Sequence, residues 1–288
     1  MNAKEPAMFF NKIEDLKVKC SLCPHKCIIG PDKTGVCGTR KNIEGSLYPL
    51  NYGKITSIAL DPIEKKPLNN FKPGSLILSV GSFGCNLKCS FCQNWTIAHE
   101  FSKCYEITPE ELKKKALELT SKGNIGIAFT YNEPSTWYEF VYDTSILIKK
   151  AGLSNVLVTN GYIERKPLEK LIPFIDAMNI DLKAYTHSFY RDICKGQLKH
   201  VKDTIEFAAS KCHVEVTMLI IPGLNDSIQD IALASKWLSS ISPDIVLHLT
   251  RFFPNYKMGN VVPTPIQTLE NARKEALKHL NFVYLGNV

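Results

Sequence analysis

The feature that most narrows the fold of this chain is an alternation. From residue 75 onward, short apolar runs take turns with segments of helical period. Ser75–Val80, Asn124–Thr130, Asn155–Thr159, Phe174–Leu182, His213–Ile221, Asp244–Thr250 and Asn281–Leu285 read as short strands. Thr108-Pro109-Glu110-Glu111 is a capping box with Pro at the first helical position. Leu112, Ala116 and Leu119 then line one face, and Gly123 ends the helix. Ser135–Lys150 stops at Gly152 in the same way, and Lys199–Lys211, Ser227–Ser240 and Pro265–Leu280 fit the same period. Strands alternating with helices imply βαβ units, a parallel sheet and right-handed crossovers, hence a barrel or a doubly wound sheet. Six or seven repeats after residue 73 fall short of the ~250 residues an eight-fold barrel takes. The expected fold is therefore α/β, an incomplete barrel of (β/α)6 type over residues 73–288. Residues 1–72 are rich in Gly, Pro and Cys and weakly periodic, and read as a small Cys-rich module or cap.

Composition excludes several classes. With 44% apolar residues and sixteen each of Gly and Pro, the chain is neither disordered nor collagen-like. No apolar run approaches the ~20 residues of a membrane span. The opening MNAKEPAMFF lacks the apolar core of a secretory signal, so a soluble cytoplasmic protein is expected. The net charge of +7 comes without a block of five or six like charges. It reads as a solvated Lys-rich surface rather than a nucleic-acid tail, with an acidic ligand or partner as the alternative.

The ten cysteines are unevenly placed. Cys20, Cys23, Cys27 and Cys37 form one group, and Cys85, Cys89 and Cys92 a second. Cys104, Cys194 and Cys212 stand apart and read as ordinary buried thiols. In a reducing compartment, clustered cysteines point to metal or catalysis rather than disulfides. The second group has the spacing C-x3-C-x2-C and follows the first strand, where an α/β barrel places its chemistry. Three thiolates hold three irons of a [4Fe–4S] cluster and leave the fourth open, as in a catalytic rather than a structural centre. A zinc site with His99 as fourth ligand is the alternative. The first group supplies four soft ligands, suited to zinc or an auxiliary cluster, with Gly30, Gly35 and Gly38 permitting tight loops.

CSLCPHKC (20–27), TGVCGTR (34–40), DPIEKKPL (61–68), GCNLKCSFCQNW (84–95), TYNEP (130–134), IDLKAY (180–185) and RFFPNYKM (251–258) together give the chain its resemblance. It resembles the radical SAM superfamily, in particular the pyruvate formate-lyase-activating-enzyme-like branch and the AmmeMemoRadiSam-system radical SAM proteins. The resemblance implies a [4Fe–4S] cluster and S-adenosylmethionine (SAM), whose reductive cleavage gives a 5′-deoxyadenosyl radical that abstracts hydrogen from a substrate.

For individual residues it implies that the backbone at Phe91 meets the adenine. Asn132 and Glu133 stand where relatives carry Gly-Gly-Glu and accept from the SAM amino group, a charge-assisted bond. Thr159, Asn160 and Gly161 match an Asp-Thr-Asn-Gly pattern near SAM. Val158 replaces its Asp, which in those relatives helps bind a monovalent cation. Asp181 and Lys183 match an Asp-Leu-Lys and share one strand face, where they pair or reach SAM and substrate. His248 and Arg251 end the sixth strand, as substrate-side groups or, for the His, as a core residue. Implied partners are a one-electron donor such as ferredoxin or flavodoxin and a substrate that is a protein glycine, another peptide position or a small molecule. Two other classes stay open: an iron–sulfur electron-transfer or sensing protein, which needs a closed cluster, and a zinc-dependent nucleic-acid-binding protein.

Overall fold

The computed structural model describes residues 5–100 and 103–288. Its central sheet has eight strands whose spatial order follows the chain: Ser57–Pro62, Leu76–Gly81, Asn124–Phe129, Ser154–Thr159, Ala177–Asp181, His213–Ile220, Val246–Arg251 and Val283–Gly286. The last seven are parallel. Ser57–Pro62 adds an antiparallel edge along Leu76–Gly81. The first and last strands do not pair with each other, so this is the incomplete α/β barrel that the alternation predicts.

Helices cover the outer face because each carries one apolar stripe. In Leu198–Ala209 the buried positions are Leu198, Val201, Thr204, Ile205 and Ala208, the i, i+3, i+4 spacing of a half-buried helix. Each large aliphatic side chain so buried contributes roughly 1.5–3 kcal/mol. The capping box forms at Pro109–Glu118: the Glu111 backbone N–H donates to Thr108 Oγ1, and the Thr108 backbone N–H donates to the Glu111 carboxylate.

Two elements differ from the sequence pattern. The run expected as a strand over Phe174–Leu182 pairs only over Ala177–Asp181, after a 3-10 turn at Ile172–Phe174. The Ile175 N–H is spent on the Ile172 carbonyl at 3.0 Å, which closes that turn. A helix at Arg165–Leu171 bridges the third and fourth parallel strands; seven residues with an internal Pro167 show no readable period.

The N-terminal region builds small antiparallel units. Phe10–Lys12, Val18–Cys20 and Ile28–Ile29 form one, and the hairpin Arg40–Ile43 with Ser46–Pro49 another. The hairpin's two-residue turn, Glu44-Gly45, has positive φ at both positions, the geometry of a type I′ turn. The region is fastened to the barrel by buried polar contacts. Arg40 is ion-paired with Glu139 and donates to the Met8 carbonyl, and Trp137 Nε1 donates to the Asn51 carbonyl at 2.6 Å. The sequence places Ser57–Pro62 with the N-terminal module, and the structure hydrogen-bonds it into the barrel sheet. Among the described residues no helix is long and apolar enough to cross a membrane.

The lower end of the barrel is closed by the segment after Pro62. Glu215, fully buried, accepts from the backbone N–H groups of Asn69 and Asn70 at 2.9 and 2.8 Å. Asn179 Nδ2 donates to the Pro67 carbonyl, and Tyr284 Oη donates to Asn70 Oδ1.

Candidate active site

The upper end, at the C-terminal ends of the parallel strands, opens into a cavity of about 380 Å³. That is within the usual range for a small-molecule site. Cys85, Cys89 and Cys92 are on its wall with Phe91, Asn132, Glu133, Asn160, Asp181 and Lys183.

The cysteine loop is held by its neighbours' backbones. Gly84 has φ +88°, and a Cβ there would meet Thr39 Cγ2 at 2.2 Å and the Cys37 carbonyl at 2.8 Å, so only glycine fits. Asn132 Nδ2 donates to the Phe83 and Gly84 carbonyls, both at 3.2 Å, and its Oδ1 accepts from Ser82 N–H. The side chain expected to face SAM is thus spent on shaping the loop before Cys85. Farther along, Lys88 and Ser90 N–H groups donate to the Cys194 and Ile193 carbonyls. Burial, followed by the nearby Glu133 charge, holds the Cys85 thiol well above its ordinary pKa. Cys89 is also held up, first by a hydrogen bond with Cys194 and then by burial. A bound metal would deprotonate such thiols outright.

Cys194 is the thiol that sequence reasoning set aside. It is fully buried and touches Cys89, yet it is absent from the cavity wall. It therefore backs the triad without closing it from the cavity side. Its neighbourhood carried one late signal: Tyr190–Cys194 is a π-helical turn, a form frequent at functional sites.

Glu133 anchors the strand ends. Its carboxylate, 3% exposed, accepts from Thr159 Oγ1 at 2.7 Å, Asn160 N–H at 2.8 Å and Ser135 N–H at 2.9 Å. Burial outweighs these three donors and raises its pKa. Among the described residues no Lys, Arg or His forms an ion pair with it. A buried carboxylate with neutral partners and an open side suits a cationic ligand group. Asn160 Nδ2 reaches both Asn86 Oδ1 at 2.9 Å and Cys85 Sγ at 3.6 Å. Tyr131, just before, holds φ at +70°, a strained position for a non-glycine residue at the cavity rim.

Also on the cavity wall, Lys183 Nζ donates to Asp181 Oδ2 at 2.6 Å. Burial works against the Lys183 ammonium, but Asp181 and the Cys89 thiol outweigh it and its pKa lies above the usual. Lys183 also sits 5.9 Å from the centroid of the Phe91 ring.

Other expected residues are elsewhere. Thr159 and Gly161 do not line the cavity; Thr159 acts through Glu133, and Gly161 at φ +67° packs on Ile180. His248 belongs to the core: Nε2 bonds Glu215 at 2.6 Å and its ring stacks on Tyr284. Arg251 donates to the Thr264 carbonyl, away from the cavity. His99 is on the cavity wall, but its Nδ1 is 3.4 Å from Lys88 Nζ. Among the described residues no three His, Cys, Asp or Glu side chains are set to hold a single metal ion. Lys65 and Pro67, Thr217, Leu219 and Thr250 also line the cavity. Only the DPIEKKPL motif flagged any of these, without a role.

A three-thiol wall fits a cluster with one open iron, and the uncompensated carboxylate beside it fits the ammonium of SAM. Comparison with known proteins gives the family. The sequence profile of the Radical SAM superfamily matches residues 79–234. An uncharacterized protein of Methanocaldococcus jannaschii is 45% identical over 98% of this chain and 85% of its own length. The pyruvate formate-lyase-activating enzyme of Clostridium pasteurianum is 29% identical over 55% of this chain and 67% of its own. Streptococcus suis SuiB bound to precursor peptide SuiA shares the fold: TM-score 0.57 and 13% identity, over 71% of this chain and 47% of that one. A profile covering more than half the chain and a relative alike along nearly all of it lead to one assignment: the chain belongs to the radical SAM superfamily, whose members work with SAM and a [4Fe–4S] cluster.

Proposed function

We propose that this chain is an enzyme that cleaves SAM reductively and takes a hydrogen atom from a peptide or protein substrate. The observation that carries the first half is the cavity wall: among the described residues, three thiols and no fourth, beside a buried carboxylate with no ion-pair partner. The substrate class rests on the relative named as a pyruvate formate-lyase-activating enzyme. When bound, the cluster and SAM supply a one-electron cleavage of a carbon–sulfur bond.

The chain's own residues do the rest. Cys85, Cys89 and Cys92 would hold the cluster, with Asn132, Asn160 and the Cys194 carbonyl fixing their loop. Glu133 would take the ammonium of SAM, and Thr159 and Asn160 hold that carboxylate in place. Lys183, kept cationic by Asp181, would face the SAM carboxylate. Phe91, Leu87, Leu219 and Pro67 give the cavity apolar walls that exclude water. A ferredoxin- or flavodoxin-type donor would deliver the electron.

The test is release of 5′-deoxyadenosine by anaerobically purified protein given dithionite and SAM. Replacing Cys85, Cys89 and Cys92 together with Ala is expected to abolish it. Release undiminished in that variant would move the chemistry away from the triad. The substrate half is read by deuterium: labelled peptides, proteins and a metabolite extract are each incubated with SAM, and the 5′-deoxyadenosine is weighed. Uptake from a metabolite extract alone would replace the peptide reading with a small-molecule one.

A further inference from the structure

A second group of thiols meets at a place the proposed function does not use. Cys20 ends the Val18–Cys20 strand, and its backbone N–H donates to the Cys27 carbonyl at 2.9 Å. The chain between them turns sharply through Lys26, whose N–H reaches back to the Cys23 carbonyl at a φ of +47°. The Gly35–Gly38 turn brings Cys37 to the same point. All four sulfurs are free, and all four line one small pocket whose remaining walls include Leu22 and Ile29. At Gly35 an added Cβ would lie 3.2 Å from Ile29 Cδ1 and 3.7 Å from Cys27 Sγ, so the backbone comes close to the sulfurs there.

One donor is aimed at this sulfur set: the buried Arg40 guanidinium donates to Cys20 Sγ at 3.6 Å. Thr39 Oγ1, whose proton goes to the Thr136 carbonyl at 2.9 Å, lies 3.2 Å from Cys37 Sγ. Donors to ligand sulfurs are the outer contacts that stabilise thiolate ligation and tune a cluster. Four thiolates suit zinc or an iron–sulfur cluster. Their place beside the triad, in a family built around an iron–sulfur cluster, favours the cluster.

The pocket adjoins the triad. Asn86 is in its wall and follows Cys85 directly, and Asn160 Nδ2 bonds Asn86 while touching Cys85 Sγ. The Cys37 carbonyl packs against the backbone of Gly84. One layer of residues separates the two sulfur sets.

We propose that Cys20, Cys23, Cys27 and Cys37 hold a second iron–sulfur cluster, closed by four thiolates and adjacent to the triad. The proposal does not depend on the triad's function, and the test keeps the two apart. The full chain is reconstituted anaerobically with ferrous iron and sulfide, and iron, sulfide and zinc are counted per chain. In the Cys85→Ala/Cys89→Ala/Cys92→Ala variant about half of the wild-type iron is expected to remain. On reduction, its electron paramagnetic resonance signal should be unmoved by SAM. Cys23→Ala/Cys27→Ala should lose the other half and keep a SAM-sensitive signal. A triad variant without iron, or one that binds a single zinc in its place, overturns the proposal. A triad variant with all of the wild-type iron supports it and sinks the triad assignment instead. The triad variant leaves the quartet intact, so its metal content decides the matter even where Cys23→Ala/Cys27→Ala fails to fold.

Discussion

Two buried glutamates, one at each end of the barrel, show what separates a structural polar network from a binding one. Glu215, at the lower end, accepts from His213 Nε2 at 2.9 Å, His248 Nε2 at 2.6 Å and two backbone N–H groups. Burial opposes its charge, but these donors win and bring its pKa down to about 2. Glu133, at the mouth, has three neutral donors that do not outweigh burial, and its pKa is raised. Both carboxylates are fully inside the protein. One has its charge answered by the protein; the other has only neutral donors, and in the proposed function a cationic ligand answers it. The lower network ties the Asn69–Asn70 segment to the barrel, and the upper one leaves a carboxylate facing the cavity that holds the cysteines.

The comparison can be broken at either end, and the lower end should give the larger effect on stability. Removing the charge with Glu215→Gln leaves donors without their carboxylate and should cost roughly 2–4 kcal/mol in urea unfolding. The pH dependence follows from the sign of the shift. A carboxyl whose native pKa lies below its unfolded value of ~4.3 contributes stability that is complete above that value. It is lost as pH falls toward about 2. The span corresponds to roughly 3 kcal/mol. Acid unfolding of the Glu215→Gln variant should lack most of that slope. Its affinity for SAM should be unchanged, and a loss of SAM binding equal to that of a mouth variant would erase the distinction between the two ends.

At the mouth the order reverses. Glu133→Gln should weaken SAM binding by about 1.5–3 kcal/mol, a factor of ten to a hundred or more, the worth of a hydrogen bond to a charged group. In the native protein without ligand this carboxyl takes up a proton more readily than an ordinary one. Wild-type affinity for SAM should therefore fall as acidification protonates Glu133, and calorimetry should find proton release on binding within that range of pH and none from this group above it. A Glu133→Gln variant with wild-type affinity would return the residue to a purely structural role.

The smallest expected effect is a control far from both ends. Thr108→Ala removes the exposed cap of the Pro109–Glu118 helix and should cost about 1 kcal/mol, with neither SAM affinity nor the acid slope altered.

Much of this was legible in the residues. The strand–helix alternation specified a parallel incomplete barrel because buried strands and amphipathic helices leave different periods. The capping box at Thr108 marked a helix start because its two hydrogen bonds are local. The triad was legible because its three cysteines are close in the chain. What sequence could not give was long-range. Cys194 meets Cys89 only through tertiary packing, and its backbone carbonyl, which any residue could supply, holds Lys88. Glu215 looks like any strand carboxylate until the Asn69–Asn70 segment and His248 converge on it from two distant parts of the chain. His248, which lies inside an apolar strand run, had two readings in sequence, and only its partner Glu215 selects the core one. Asn132 is at the position expected for SAM, but its amide is turned to the loop of Cys85.

The most direct test of the central claim, that the mouth of this barrel holds a cluster with an open iron for SAM, is the electron paramagnetic resonance spectrum of the reduced wild-type protein with and without SAM. The account predicts a [4Fe–4S] signal whose shape changes when SAM is added, and a smaller or absent change in Glu133→Gln at the same SAM concentration. A reduced cluster signal from the triad that is identical in the presence of saturating SAM would contradict it.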